Sequence, residues 1–208
     1  MRIELGSEKD SDQCRAIIHE YYKCRDAFDQ FRVIGERLIL TGQNNEISYR
    51  AYNSYSYFIL HLYEFLMACH AREAGNTNII NKKGSERNDY LDALIMSDAQ
   101  RVINITIDDI RRGTAPNWEN DISHYENLLP VPPEFAREFR VYRNKISGHA
   151  SFERISELNL TEFFEKYHFY LHLLYRVEGN YWGRKREEFP CLKDVTNFLK
   201  SIANATYL

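Results

Sequence analysis

The residues best suited to chemistry lie together between positions 137 and 149: Arg137, Arg140, Arg143, Asn144, Lys145, Ser147 and His149. Histidine is the side chain whose ordinary pKa lies closest to neutrality, so it can take or give a proton during a reaction. Arginine stays charged and offers a planar fork of N–H donors that matches phosphate oxygens. An imidazole six positions from a guanidinium therefore suits RNA cleavage in cis. A base takes the ribose 2′-hydroxyl proton, an acid protonates the departing 5′-oxygen, and fixed positive charge steadies the phosphorane between them. In that scheme His149 moves protons and Arg143 meets the developing charge. Asn144 orients the imidazole or holds a phosphate oxygen, while Arg140, Lys145, Arg137 and Ser147 hold flanking phosphates, contacts that weaken with salt. The products are a 2′,3′-cyclic phosphate and a 5′-hydroxyl, with neither metal nor cofactor required. From Arg137 to Lys145 four cations face one acid, Glu138, a local net of +3 in a chain whose net charge is -3.

A helix must position these groups. Phe135, Phe139, Tyr142, Ile146 and His149 are spaced four, three, four and three, so they share one helical face, with Arg140 and Arg143 beside it. Six positions along an ideal helix leave a rotation of about 240°, so Arg143 and His149 do not stack on one side. Three routes bring them together: a helix break at Gly148, a long reach by Arg143, or a second copy that completes the site. The competing arrangement continues the Tyr142/Ile146 face into the core with His149 and places Arg143 in an ion pair.

An Arg followed by a polar residue, then His a few positions later, at the end of one helix and before another long amphipathic one, resembles the HEPN superfamily of small all-helical proteins. Arg143, Asn144 and His149 fill the places of that pattern, with five residues between Arg143 and His149. The resemblance covers roughly residues 48–178, and its specific part is seven residues long. It implies a helical bundle and a metal-independent ribonuclease of the toxin–antitoxin or phage-defence kind. It also implies a homodimer that brings two motifs into one cleft. Some members are instead non-catalytic and pair with a nucleotidyltransferase or an antitoxin. The alternative function is therefore a helical binding module that docks RNA or a partner protein through its basic face.

The rest of the chain is consistent with a bundle. Hydrophobic residues make up 44% and charged ones 27% of 208 residues, values of a globular chain. Only five Pro and nine Gly favour long helices over many turns. No apolar run approaches a membrane span and no signal-peptide core is present, so a cytoplasmic location is expected. Cys14, Cys24, Cys69 and Cys191 lack the spacing of a zinc site or a disulfide framework.

In chain order, residues 1–10 read as a loose lead-in, with Ser11 or Asp12 capping a first helix to about Leu40. Its apolar seam is Ile17, Tyr21, Cys24, Phe28, Phe31 and Leu38, with Gly35 suited to close backbone approach. It packs on the bundle or contacts a second copy. A second helix spans about 48–73, apolar on most of its circumference, with Tyr52, Tyr55, Ile59, Leu62, Leu66 and Cys69 as its stripe. On its polar face His61 and Glu64, one turn apart, either pair with each other or lie near the site as supporting groups. A third helix is expected over about 86–112, although the β-branched run 102–107 would also suit a strand. Residues 114–133 read as a long irregular stretch leading into the cationic helix. Asn159 to Glu162 forms a capping box for a helix that Gly179 stops after Glu178, and Pro190 opens a last short helix.

The predicted architecture is all-α: a HEPN-like four-helix bundle over 48–178, an N-terminal accessory helix in 1–47, and a C-terminal accessory helix in 179–208. Metal chemistry is a weaker candidate. Glu165 and His168 have the spacing of dimetal bundles, but a second such motif is missing, so His168 and His172 read as helix-face residues.

Overall fold

A computed structural model describes residues 1–42, 44–79, 84–146 and 159–182. The described chain is all-α: α1 (Glu8–Thr41), α2 (Asn45–Glu73), α3 (Gly84–Arg112), α4 (Ile122–Glu126), α5 (Phe135–Ile146) and α6 (Leu160–Trp182). Among the described residues the β pairing is one isolated bridge between Arg2 and Asn76. The β-branched run 102–107 lies within α3. Its Val102, Ile103, Thr106 and Ile107 are buried, and the Thr106 hydroxyl donates to the Val102 carbonyl at 3.0 Å. Helical burial satisfies that run without a partner strand. No helix of the described residues is long and apolar enough to cross a membrane.

The central helix is α2, as its broad apolar circumference predicts. It packs against α1, α5 and α6, while α3 packs against α4, α5 and α6. Tyr55, Phe58, Ile59, Leu62, Phe65 and Leu66 of α2 are all buried at most 2% exposed. Ile17, Tyr21 and Cys24 of α1 belong to the same continuous core. The expected seam of α1 thus packs inward from Ile17 to Phe31, whereas Leu38 lies outside that core, and at Gly35 no neighbouring element among the described residues comes within 4 Å of where its Cβ would sit.

Several boundaries differ from the sequence reading, each for a local physical reason. Helix α1 begins at Glu8 because Ser7, not Ser11 or Asp12, caps it. The Ser7 hydroxyl oxygen accepts from the Asp10 amide at 3.2 Å, and the Asp10 carboxylate accepts from the Gly6 amide at 2.9 Å. Residues 1–10 are not loose. The Ile3 amide donates to the Gly75 carbonyl at 2.7 Å, the Thr77 amide donates to the Met1 carbonyl at 2.9 Å, and Arg72 grips Asp10 through two bonds. Helix α2 begins at Asn45, earlier than expected, because Asn44 accepts from the Ile47 amide. The stretch 114–133 contains a short helix, α4, capped by Asp121.

Gly179 does not stop α6, which continues to Trp182. A Cβ there would lie only 2.9 Å from Cζ of Tyr21, whose ring stacks on Tyr175 at 5.7 Å. The glycine lets α1 and α6 touch. The capping box at Asn159 is present: its side-chain oxygen accepts from the Glu162 amide at 3.1 Å. Phe163 is the ring α6 buries there, because Tyr142 covers it with ring centroids 4.1 Å apart. The short helix expected after Pro190 lies outside the described residues.

Candidate functional site

Helix α5 buries the face its spacing predicts, with Phe135, Phe139, Tyr142 and Ile146 all in the core. Phe139 meets Tyr63 of α2 edge-on at 5.2 Å, and Phe135 packs on Tyr167 of α6. These contacts set the rotation of α5, and the rotation decides where its cations go. Arg140, Arg143 and Asn144 line a cleft of about 560 Å³ between α2, α3 and α5. Arg137 and Lys145 line a different hollow, of about 410 Å³, beside Tyr142 and Glu162. The cationic row therefore splits: the first group faces α2 and α3, and the second faces α6. Ser147 and His149 lie outside the described residues.

The cleft gathers residues from distant parts of the chain. Arg140 donates two hydrogen bonds to the Asp92 carboxylate of α3, from Nε at 2.7 Å and from a terminal nitrogen at 2.9 Å. That hydrogen-bonded carboxylate raises the guanidinium pKa further. Arg143 donates through Nε and a terminal nitrogen to the Glu64 carboxylate of α2. Its other terminal nitrogen donates to the Asn144 side-chain oxygen at 2.9 Å. The guanidinium carbon lies 5.6 Å from the Tyr63 ring centroid, within cation–π range. Burial drives the Tyr63 hydroxyl up to about 12, and this hydroxyl has no hydrogen-bond partner among the described residues.

His61 and Glu64 do not pair with each other. His61 Nδ1 lies 2.7 Å from the Glu20 carboxylate of α1, whereas Glu64 turns to Arg143. One turn of α2 suffices to separate them because α1 and α5 flank different sides of that helix. His61 is thereby part of the α1–α2 contact, and Glu64 is part of the cleft.

The cleft also contains Arg87 and Asn88 of α3, which their sequence context did not mark. Arg87 stands in an ordinary polar helix start, beside Glu86 and four positions after Lys83, a setting that reads as a solvated helix end. Its placement depends on α3 crossing α5 at Asp92, about a turn and a half further on. Together Arg87, Arg140 and Arg143 against Glu64 and Asp92 leave a net of +1 around the cleft.

Such a site can hold a doubly or singly charged oxyanion. Guanidinium forks match phosphate oxygens two at a time, and the carboxylates now on Arg140 and Arg143 occupy the positions a phosphate would take. Among the described lining residues, Glu64 and Tyr63 are the groups chemically able to move a proton, and no histidine or cysteine is with them.

Elsewhere, His168 and His172 stack on each other at 6.0 Å, and His168 Nδ1 meets the Tyr55 hydroxyl at 3.1 Å. Among the described residues no group of three or more His, Cys, Asp or Glu is placed to hold a metal ion. No family model, no characterised protein and no solved structure matches this chain.

Proposed function

We propose that this chain is a HEPN-like, metal-independent endoribonuclease of a toxin–antitoxin or phage-defence type, working as a homodimer. The observation that carries the reading is the convergence of Arg87, Arg140, Arg143 and Asn144, from two helices, on one open cleft. RNA places a phosphate there by exchanging its oxygens for the Glu64 carboxylate on Arg143. The ribose 2′-oxygen attacks the phosphorus as its proton passes to a base, and the bond to the 5′-oxygen breaks as an acid protonates it. His149 supplies the proton transfer, with a second copy's His149 available for the opposite role. Arg143 stabilises the phosphorane charge, Asn144 positions the guanidinium through its remaining terminal nitrogen, and Arg87 and Arg140 hold neighbouring phosphates.

A second reading has its own support. Arg140 and Arg143 are already neutralised by carboxylates, a stable arrangement that needs no reaction. A non-catalytic module would use the same cleft and the outer Arg137/Lys145 side to dock RNA, or an antitoxin or nucleotidyltransferase partner.

Cleavage of end-labelled RNA in EDTA separates the two. The nuclease reading expects 2′,3′-cyclic phosphate ends from the wild type. His149→Ala should lose them with an unchanged circular dichroism spectrum, and expression should arrest growth only for the wild type. RNA retention without cleavage by either protein establishes the module. In both cases Arg87→Ala should lower the salt slope of RNA binding by about 1.

A further inference from the structure

Fourteen residues beyond Arg87, helix α3 borders a second and larger cavity, of about 690 Å³, whose chemistry contrasts with that of the cleft. Three apolar side chains on its lining are left unusually open: Trp118 is 85% exposed, Tyr181 73% and Ile105 38%. Large aromatic rings are rarely so exposed, and here two line one concavity, with Tyr181 meeting the neighbouring Trp182 ring edge-on at 5.8 Å. The remaining wall mixes Ala115, Pro116 and Val177 with polar side chains that are held in place. The Glu119 side chain is 9% exposed and accepts from both the Tyr125 hydroxyl and Arg176. Arg101 donates to Asp98 at 3.2 Å and to Glu178.

The charges define the ligand. Arg101 and Arg176 stand against Asp109, Glu119 and Glu178, a net of -1, so the cavity does not attract phosphate as the cleft does. Each guanidinium carries five N–H donors, and the described bonds use only one terminal nitrogen of each, so hydrogen-bond donors remain in surplus. Exposed aromatic faces, a surplus of donors and no net positive charge suit a flat, uncharged ring with carbonyl or ring-nitrogen acceptors. Nucleobases are such rings.

The position along α3 connects this cavity to the cleft. Arg87 and Leu91 line the cleft, while Arg101 and Ile105 line the cavity, each pair fourteen residues apart. Four helical turns take about 14.4 residues, so both openings lie on nearly the same side of α3, about 21 Å apart. At about 3.4 Å per stacked nucleotide, roughly six nucleotides cover that distance.

We propose that the cavity bordered by Trp118 and Tyr181 is a nucleobase site, seating one base of the single-stranded RNA whose phosphate occupies the Arg143 cleft. The assignment rests on RNA being the ligand of that cleft, and the test keeps the two apart. The full chain is titrated with fluorescent eight-nucleotide and three-nucleotide RNAs, and with an eight-residue abasic oligomer. Trp118→Ala and Tyr181→Ala should each weaken the eight-nucleotide RNA roughly tenfold or more, with Trp118→Phe recovering most of the loss. The three-nucleotide and abasic oligomers should bind equally to wild type and Trp118→Ala, and the salt slope should stay unchanged because no charge is removed. Wild-type affinity for the eight-nucleotide RNA in Trp118→Ala overturns the base site while leaving the cleft reading intact. If the wild type binds no RNA, the cleft reading fails. Adenosine and uridine then decide the cavity by themselves, in a Trp182→Phe background where Trp118 is the single tryptophan. Saturable quenching there supports a base site. Its absence, or quenching by arginine amide alone, assigns the cavity to something else.

Discussion

Acid should unfold this protein partly through His168, and the size of the effect follows from its surroundings. The imidazole lies among Phe31, Phe164 and His172, with the Phe164 ring stacked on it at 4.4 Å. Burial, and then the neighbouring His172, pull its pKa from 6.5 down to about 4. Its Nδ1 is 3.1 Å from the Tyr55 hydroxyl, which donates to it in the neutral tautomer that carries its proton on Nε2 and has no acceptor there once the ring is protonated. An unfolded His168 binds its proton near 6.5, so lowering the pH rewards unfolding. The contribution is fully present above 6.5, declines as pH falls toward 4, and is gone below that. At about 1.4 kcal/mol per pH unit the interval amounts to about 3 kcal/mol. Urea unfolding at half-unit steps from pH 7.5 to 4 measures it. His168→Asn keeps an acceptor near the Tyr55 hydroxyl but does not titrate. It should be less stable than wild type at pH 7.5, with a visibly shallower decline toward pH 4. Parallel curves for the two proteins would refute the assignment of the acid sensitivity to this ring.

Two other substitutions probe the packing and the cleft. Gly179→Ala improves helix propensity yet should destabilise by about 1–3 kcal/mol, because its Cβ meets the Tyr21 ring, and Tyr21→Phe in the same chain should relieve part of the cost; a raised melting temperature for the single variant would contradict this. Asp92→Ala strands Arg140, whose side chain is only 13% exposed, and should cost about 1–3 kcal/mol while tightening RNA binding, since the cleft's net charge rises from +1 to +2; weaker binding at unchanged stability would count against the cleft as an anion site.

Much of the helical framework was legible in the residues. The four-and-three spacing of Phe135, Phe139, Tyr142 and Ile146 identified a buried face, and the structure buries those four side chains. Asn159 and Glu162 announced a helix start through a local exchange of hydrogen bonds. Less local features misled. Gly75 follows the end of α2, whereas Gly179 sits inside α6 against an aromatic ring more than a hundred residues earlier. Ser7 and Ser11 look equally able to cap a helix. Asp10 and its grip on Arg72 decide between them, and that contact spans 62 positions.

The candidate site divides in the same way. The presence of a cationic helix, its apolar side and the nearness of Arg143 to Asn144 are properties of consecutive residues, governed by a repeat of about 3.6. Helix rotation distributed the cations between two hollows, and packing brought Arg87 to join Arg140 and Arg143. It also turned Glu64 toward the cleft while His61 went to Glu20. The reason is physical: helix propensity and amphipathic pattern act over one or two turns, so the chain carries them in plain order. The partners of Arg140 and Arg143, 48 and 79 positions away, are selected only when the hydrophobic faces have chosen their neighbours and fixed each helix about its axis.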